Sequence, residues 1–293
     1  MPSSAPKYTL PEIIEHYKAI HHQALEADRL DSIAPVIYPQ GNYWINRFTD
    51  YAHRLGMAKA FTFLHSAVGS LAGSTVLDLG CGRGRWVHEY AARGARVTGV
   101  DVSPDAIAAL SREMPHHRFL CHDITRLSLP GEAFDVVNCV TVLQHLPEPE
   151  QRRVLTIAYQ VLKPGGYFVL LENTSDFVSV DVHAHSREEW MCLVENAGLV
   201  SCWKSGSNFE PLFRCWRAVL RLRNQPAAPA GLRGAARRRR QSMPGLNRTL
   251  RTAGALASFP LEWLLTRLPI AKPTHAVMVF RKPDLLQHQP QFS

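Results

Sequence analysis

The chain has 293 residues, 46% hydrophobic and 20% charged, enough for one large domain with an ordinary buried core and unlike a disordered or fibrous protein. No apolar run reaches membrane-spanning length; the best candidate, SFPLEWLL, is interrupted by Pro260 and Glu262. The formal charge of +8 is unevenly held, because Lys204 to Lys272 carries fourteen Lys or Arg against two acids, while the remainder has nineteen basic and twenty-three acidic residues.

The opening stretch, MPSSAPKYTLPEIIEHYK, lacks the basic-then-apolar plan of a secretory signal. Residues 1–65 are expected to form a helical lid segment. Leu10 to His65 reads as two helical pieces split by APVIYPQGNYW, able to lie over the carboxyl ends of a set of strands. Tyr43, Trp44 and Arg47 either close over a ligand or bury the aromatic face of a lid helix.

Residues 66–206 alternate short apolar runs with amphipathic stretches, the pattern of parallel βαβ units. Strands are predicted at TVLDLG, RVTGVD, HRFLCHD, FDVVNCV, GYFVLLEN and LVSCWKS. Helices are predicted at GRWVHEYAARG, SPDAIAALSREM, PEQRRVLTIAYQVLK and SREEWMCLVENAG. Ser103 before Pro104 supplies an N-cap and a first-turn proline. Lys163-Pro164 and Gly165-Gly166 are expected to stop a helix and turn the chain into the next strand. Residues 207–272 form a basic insert, within which QPAAPAGLRGAARRRRQ reads as a mobile loop. A last strand, HAVMVFRK, lies in the closing segment 273–293. The six cysteines contain no C-x-x-C pair; they read as small hydrophobes of a reducing compartment, and the expected setting is cytoplasmic.

The chemistry starts at VLDLGCGRGRW, residues 76–86. Gly80, Gly82 and Gly84 follow a strand and precede a helix, a plan for holding a nucleotide-like ligand at the carboxyl edge of an open sheet. A dinucleotide fingerprint requires a third glycine where Arg85 stands, and Asp78 at the strand end would oppose a phosphate. A ligand with a positive, amino-acid-like head fits better, and S-adenosylmethionine has one.

Five ordered segments then resemble the motifs of class I S-adenosylmethionine-dependent methyltransferases of the small-molecule type. These are VLDLGCGRGRW, VTGVDVSPDAI, the two motifs within FLCHDITRLSLPGEAFDVVNCVTVLQHLPEPE, and VLKPGGYFVLLEN. The resemblance covers roughly Thr75 to Leu199. It implies an α/β fold: an open seven-stranded, mostly parallel sheet with helices on both faces and the last strand antiparallel, plus the helical lid and the basic insert. It implies S-adenosyl-L-methionine as cofactor, with Asp78, Gly80, Gly82, Gly84, Asp101, Val102, Asp123, Ile124 and Val140 around it. Asp101 would accept both ribose hydroxyls, Asp123 would reach the adenine amino group, and Ile124 would pack on the ring. Simple capping of the next helix or turn is the alternative at both acids.

Methyl transfer to a hydroxyl needs a base, whereas an amine needs only its neutral form. His145, after the fourth strand, is the leading candidate base; the bland alternative is packing or capping. Glu172 either orients an acceptor or satisfies backbone donors. His183 and His185 either line the acceptor pocket or are solvated, and no metal is expected. The insert mixes Trp216 and leucines with arginines, which suits contact with an anionic membrane or a lipid- or carrier-linked acceptor; RNA binding is the minor option. The expected function is methylation of a small or lipid-linked metabolite, oxygen favoured over nitrogen. A non-catalytic cofactor-binding or scaffold role is the alternative of another class.

Overall fold

A computed structural model describes residues 8–26, 43–175, 182–207, 260–261, 264–265 and 273–284. Most of the basic insert, and the stretch 27–42 that holds most of the break between the two lid pieces, lie outside them.

Seven strands form one sheet: β1 (Thr75–Leu79), β2 (Arg96–Asp101), β3 (Arg118–Cys121), β4 (Phe134–Val140), β5 (Leu162–Asn173), β6 (Val200–Ser207) and β7 (His275–Arg281). Their spatial order is β3-β2-β1-β4-β5-β7-β6. Strands β1 to β5 pair in parallel, and β7 runs antiparallel between β5 and β6. The expected sheet holds: seven strands, mostly parallel, with the last one antiparallel. The strand order reverses between β1 and β4, so a crevice opens beyond their carboxyl ends.

The helices are α1 (Leu10–Glu26), α2 (Tyr43–Val68), α3 (Arg85–Ala91), α4 (Pro104–Glu113), α5 (Glu148–Val161) and α6 (Arg187–Asn196). Local chemistry explains their starts. Ser103 caps α4 by accepting the Ala106 N–H at 3.2 Å, with Pro104 in the first turn. A capping box opens α6: the Glu189 N–H donates to Ser186 Oγ at 3.2 Å, and the Ser186 N–H to Glu189 Oε2 at 2.7 Å.

Side-chain alternation along the strands separates two apolar layers. Leu77, Leu79, Val137 and Cys139 face α5 and α6. Val76, Val97, Val136 and Val140 face α2 and α3, where Met57, Leu64, Trp86 and Tyr90 are buried. Asp78 and Asn138 belong by the same alternation to the α2/α3 side. Helix α2 continues past residue 65 to Val68 and lies against β6 and β7, with Ser207 Oγ donating to the Ala52 carbonyl at 2.8 Å.

One expectation needs correction. Lys163 to Gly166 is not a turn in front of a strand: α5 stops at Val161 and β5 already begins at Leu162. Pairing runs Leu162 with Phe134, then Tyr167 with Val136, so residues 163–166 bulge opposite Asp135. Gly165, at φ +75°, supplies the left-handed residue the bulge requires, and Lys163 Nζ ties back to Asp135 Oδ1 at 2.8 Å.

Candidate active site

The glycine turn after β1 is shaped first by the protein's own packing. Gly80 and Gly84 have φ of +69° and +83°, a left-handed conformation that glycine adopts without strain. A Cβ at Gly80 would stand 2.4 Å from Val142 Cγ2, and one at Gly84 2.4 Å from Leu110 Cδ2. Close approach at these two glycines therefore comes from side chains of the turn after β4 and of α4.

Asp101 closes the turn against the end of β2. Its Oδ2 accepts the Gly82 N–H and its Oδ1 the Ser103 N–H, both at 2.9 Å, and the residue is buried. Asp78 is 1% exposed. Its Oδ1 accepts Asn138 Nδ2 at 2.6 Å, Asn138 Oδ1 accepts the Tyr90 hydroxyl at 3.2 Å, and Asp78 Oδ2 has no partner. Burial pushes this carboxyl up to about 7, against the pull of Asn138, and the neighbouring Asp101 adds to the rise. A buried carboxylate oxygen left without a donor fits a ligand that brings a positive N–H group. The donor set thus fits S-adenosylmethionine.

Asp123 caps the short helical turn Ile124–Arg126, its Oδ1 accepting the Thr125 N–H at 2.8 Å. Ile124 and Val140 are buried and Val102 is half-buried. The residues expected around the cofactor therefore gather from the ends of β1, β2, β3 and β4.

The side expected to receive an acceptor carries the turn Leu143–His145 after β4. Thr141, which leads into it, has φ +54°, a strained conformation for a β-branched residue. Glu172, fully buried on β5, holds the turn together: Oε1 accepts the N–H groups of Val142 (3.0 Å) and Leu143 (2.8 Å), and Oε2 that of Gln144 (3.3 Å). Burial pushes the Glu172 carboxyl up to about 8 while these three donors pull it down. Of the two roles open to Glu172, the geometry is that of backbone satisfaction, and the carboxylate is not among the reacting groups proposed below. His145 is half-buried at the end of the turn, with Nε2 3.1 Å from Gln144 Nε2 and its ring 5.1 Å from that of Tyr17 in α1. His185 is held by Gln151 Oε1 at 2.7 Å and packs edge-on against Trp190, while the His183 N–H donates to the Gln144 carbonyl. Both histidines are half-buried.

Two groups of residues escaped the sequence reading. Helix α1 spans the crevice: Tyr17 meets His145, His22 Nδ1 lies 3.0 Å from Asp105 Oδ2 on α4, and His21 between them is 3% exposed. The signal was the spacing Ile13, Tyr17, His21, one face of a helix. The second group lies beside the glycine turn. Arg85 Nε is 2.7 Å from Asp50 Oδ1, Arg85 Nη1 is 3.3 Å from His53 Nδ1, and the His53 ring packs edge-on against His275 at 4.7 Å. Burial, with Arg85 adding, holds both imidazoles neutral: His275 is lowered to about 4 and His53 falls well below its usual value. Arg85, the residue that spoiled the dinucleotide fingerprint, thus anchors α3 to α2. Tyr43 and Trp44 open α2, but their side chains lie outside the described residues. Among the described residues, no three His, Cys, Asp or Glu side chains gather to hold a metal ion.

Known proteins agree with this architecture. Residues 76–166 match the family described as a methyltransferase domain. A ubiquinone biosynthesis O-methyltransferase of Pseudomonas putida F1 is 41% identical over 103 residues, which are 33% of this chain and 43% of that protein. The enzyme of the same name from Dechloromonas aromatica is 38% identical over 108 residues, 34% and 45% of the two chains. The chain thus spans less than half the length of these curated relatives. Among solved structures, the 1,6-didemethyltoxoflavin-N1-methyltransferase of Burkholderia thailandensis, with S-adenosylhomocysteine bound, superposes with a TM-score of 0.57 at 18% identity over 97% of this chain and 94% of that one. The cyclase SpnF does so with 0.56 at 18% identity, over 96% and 100%. At such identities the likeness is one of fold, and the cyclase illustrates that the fold alone does not choose a reaction. The matched segment is thus similar to a methyltransferase domain, and the sheet that contains it has the fold of these solved structures.

Proposed function

We propose that the protein is an S-adenosylmethionine-dependent O-methyltransferase acting on a hydroxyl of a lipid-linked small molecule. The observation that carries the reading is the constellation at the β1–β4 switch point. Asp101 is tied to the glycine turn, Asp78 keeps a buried oxygen without a partner, and His145 ends the turn that follows β4. The choice of oxygen and of a lipid-linked acceptor draws on the relatives named for ubiquinone biosynthesis.

When bound, the cofactor supplies a methyl group already activated by the sulfonium. The chain's part is to bind, align and exclude water. Asp101 would hold the ribose hydroxyls and Asp123 the adenine amino group, while Ile124 and Val140 supply apolar contact. Asp78 would face the ammonium end. His145 would take the acceptor's proton, with the glycine turn held by Arg85 and Asp50. Helix α1 acts as the lid.

The test uses purified protein, labelled cofactor and a short-chain prenylated catechol. Methyl label should appear as an aryl ether. His145→Ala should lower turnover about 10²-fold, the usual scale for a general base, with unchanged affinity for S-adenosylhomocysteine. Asp101→Ala should weaken that affinity about tenfold or more, since it removes two charge-assisted bonds. Label on an amine acceptor alone would replace oxygen by nitrogen as the target. A histidine variant as active as the parent would remove His145 from the chemistry.

A further inference from the structure

Helix α1 carries a histidine that no part of the proposed chemistry uses. His21 is 3% exposed, and its Nδ1 is buried with no hydrogen-bond partner. An orphaned polar atom of this kind is costly unless a ligand completes it. Its surroundings are defined on each side. The next residue, His22, ties α1 to Asp105 at 3.0 Å, in the first turn of α4 and four residues after Asp101. Tyr17, one turn earlier, rests on His145. The charged groups that act on His21 are Asp101 from the end of β2, Arg83 from the glycine turn, and Asp105 from α4. Burial outweighs the two carboxylates and lowers its proton affinity, so the ring is neutral at pH 7. The contacts of His22 with Asp105 and of Tyr17 with His145 thus carry the imidazole over the carboxyl end of the sheet, within electrostatic reach of the carboxylate assigned to the ribose.

We propose that His21 is a cofactor-binding residue, brought by the lid helix onto the nucleoside end of the site, where its Nδ1 completes the hydrogen bonding of the ribose hydroxyls held by Asp101. This rests on the methyltransferase reading above and deepens it. The inventory closes: each hydroxyl can donate to Asp101 and still accept, and neutral His21 can donate through Nδ1. Cofactor entry then requires α1 to lift. Once closed, the lid binds the ligand directly through His21.

Calorimetric titration of the full chain with S-adenosylhomocysteine tests this without any acceptor. His21→Phe keeps the volume and removes the polar atom; His21→Asn keeps a polar atom near the place of Nδ1. The phenylalanine variant should bind about tenfold or more weakly, and the asparagine variant should recover most of the loss. The same penalty should appear with 5′-methylthioadenosine, which keeps the ribose and lacks the amino-acid end. The melting temperature of ligand-free His21→Phe should be no lower than the parent's, because an unsatisfied buried atom has been removed. Parent-like affinity in the phenylalanine variant overturns the proposal, as does a penalty that vanishes with methylthioadenosine. Equal losses in both variants would mean packing alone, and overturn it too. A parent that binds neither nucleoside would instead bring down the methyltransferase reading on which it rests.

Discussion

Asp78 and Asp101 sit at neighbouring strand ends, yet their surroundings give them different behaviour. Asp101 accepts two backbone N–H groups, whereas Asp78 has one amide partner and one bare oxygen. Burial raises Asp78 to about 7, so in the ligand-free protein it is half protonated near neutrality. Its folded value lies above the unfolded one of about 3.8. Its contribution to stability is therefore complete below that lower value and is lost as pH rises through about 7. Ligand binding has the opposite sign, because a cationic ammonium beside Asp78 favours the ionised form. Affinity for S-adenosylhomocysteine should rise about tenfold from pH 6 to 8, with release of close to one proton at pH 6 and about half a proton at pH 7, measured by calorimetry in buffers of differing ionisation enthalpy. Asp78→Asn should bind with little dependence on pH over that range. A parent whose affinity is flat between pH 6 and 8 would take Asp78 away from the ammonium.

The turn after β4 illustrates how one side chain can hold an element in a conformation its own sequence resists. Thr141 at φ +54° costs on the order of 1–2 kcal/mol, and the three N–H groups that follow have no strand partner. The Glu172 carboxyl accepts all three, fixing the turn that carries His145. Glu172→Gln keeps the shape but turns one acceptor into a donor facing a backbone N–H. The loss should be about 1–3 kcal/mol, seen as a melting temperature lowered by several degrees. A variant melting with the parent would show that the turn holds itself. Elements were legible wherever a repeating pattern reported them: β1, β2, β4 and β7 from apolar runs, and α4 from its cap. The bulge at Lys163–Gly166 was not, because Pro and Gly signal a departure from regular backbone without saying whether a strand has already begun. The place of Asp101 at the end of β2 was legible, although its bond to the Gly82 N–H was not. Glu172 was not, since its role depends on which N–H groups the folded turn leaves open. His21 was hidden for a related reason: the spacing assigns it to the buried stripe of α1, but what that stripe covers is a fact of packing.

On the scale of the whole molecule, charge and apolar surface point the same way. The acidic body contrasts with the +12 held between Lys204 and Lys272, and that insert lies between β6 and β7, the two antiparallel strands at one edge of the sheet. Within it Pro260, Leu261, Leu264 and Leu265 are helical, and Leu261 and Leu264, three residues apart on one face, are 51% and 57% exposed. No described helix is long and apolar enough to cross a membrane. A basic stretch of sequence beside exposed leucines would suit a protein that meets its acceptor at an anionic bilayer and is held there only peripherally. Each engaged basic residue contributes about 1 kcal/mol, and the attraction should fade as the Debye length falls from about 10 Å at 0.1 M salt to 3 Å at 1 M. Co-sedimentation with phosphatidylserine-containing vesicles at low salt should therefore recover the protein. Neutral vesicles, high salt, or replacement of Arg237 to Arg240 by serine should each diminish recovery. Leu261→Ser with Leu264→Ser should weaken binding even at low salt, since the leucines act by burial and not by charge. Absence from the anionic pellet at low salt would leave the basic insert as a solvated loop and move the acceptor from the membrane into solution.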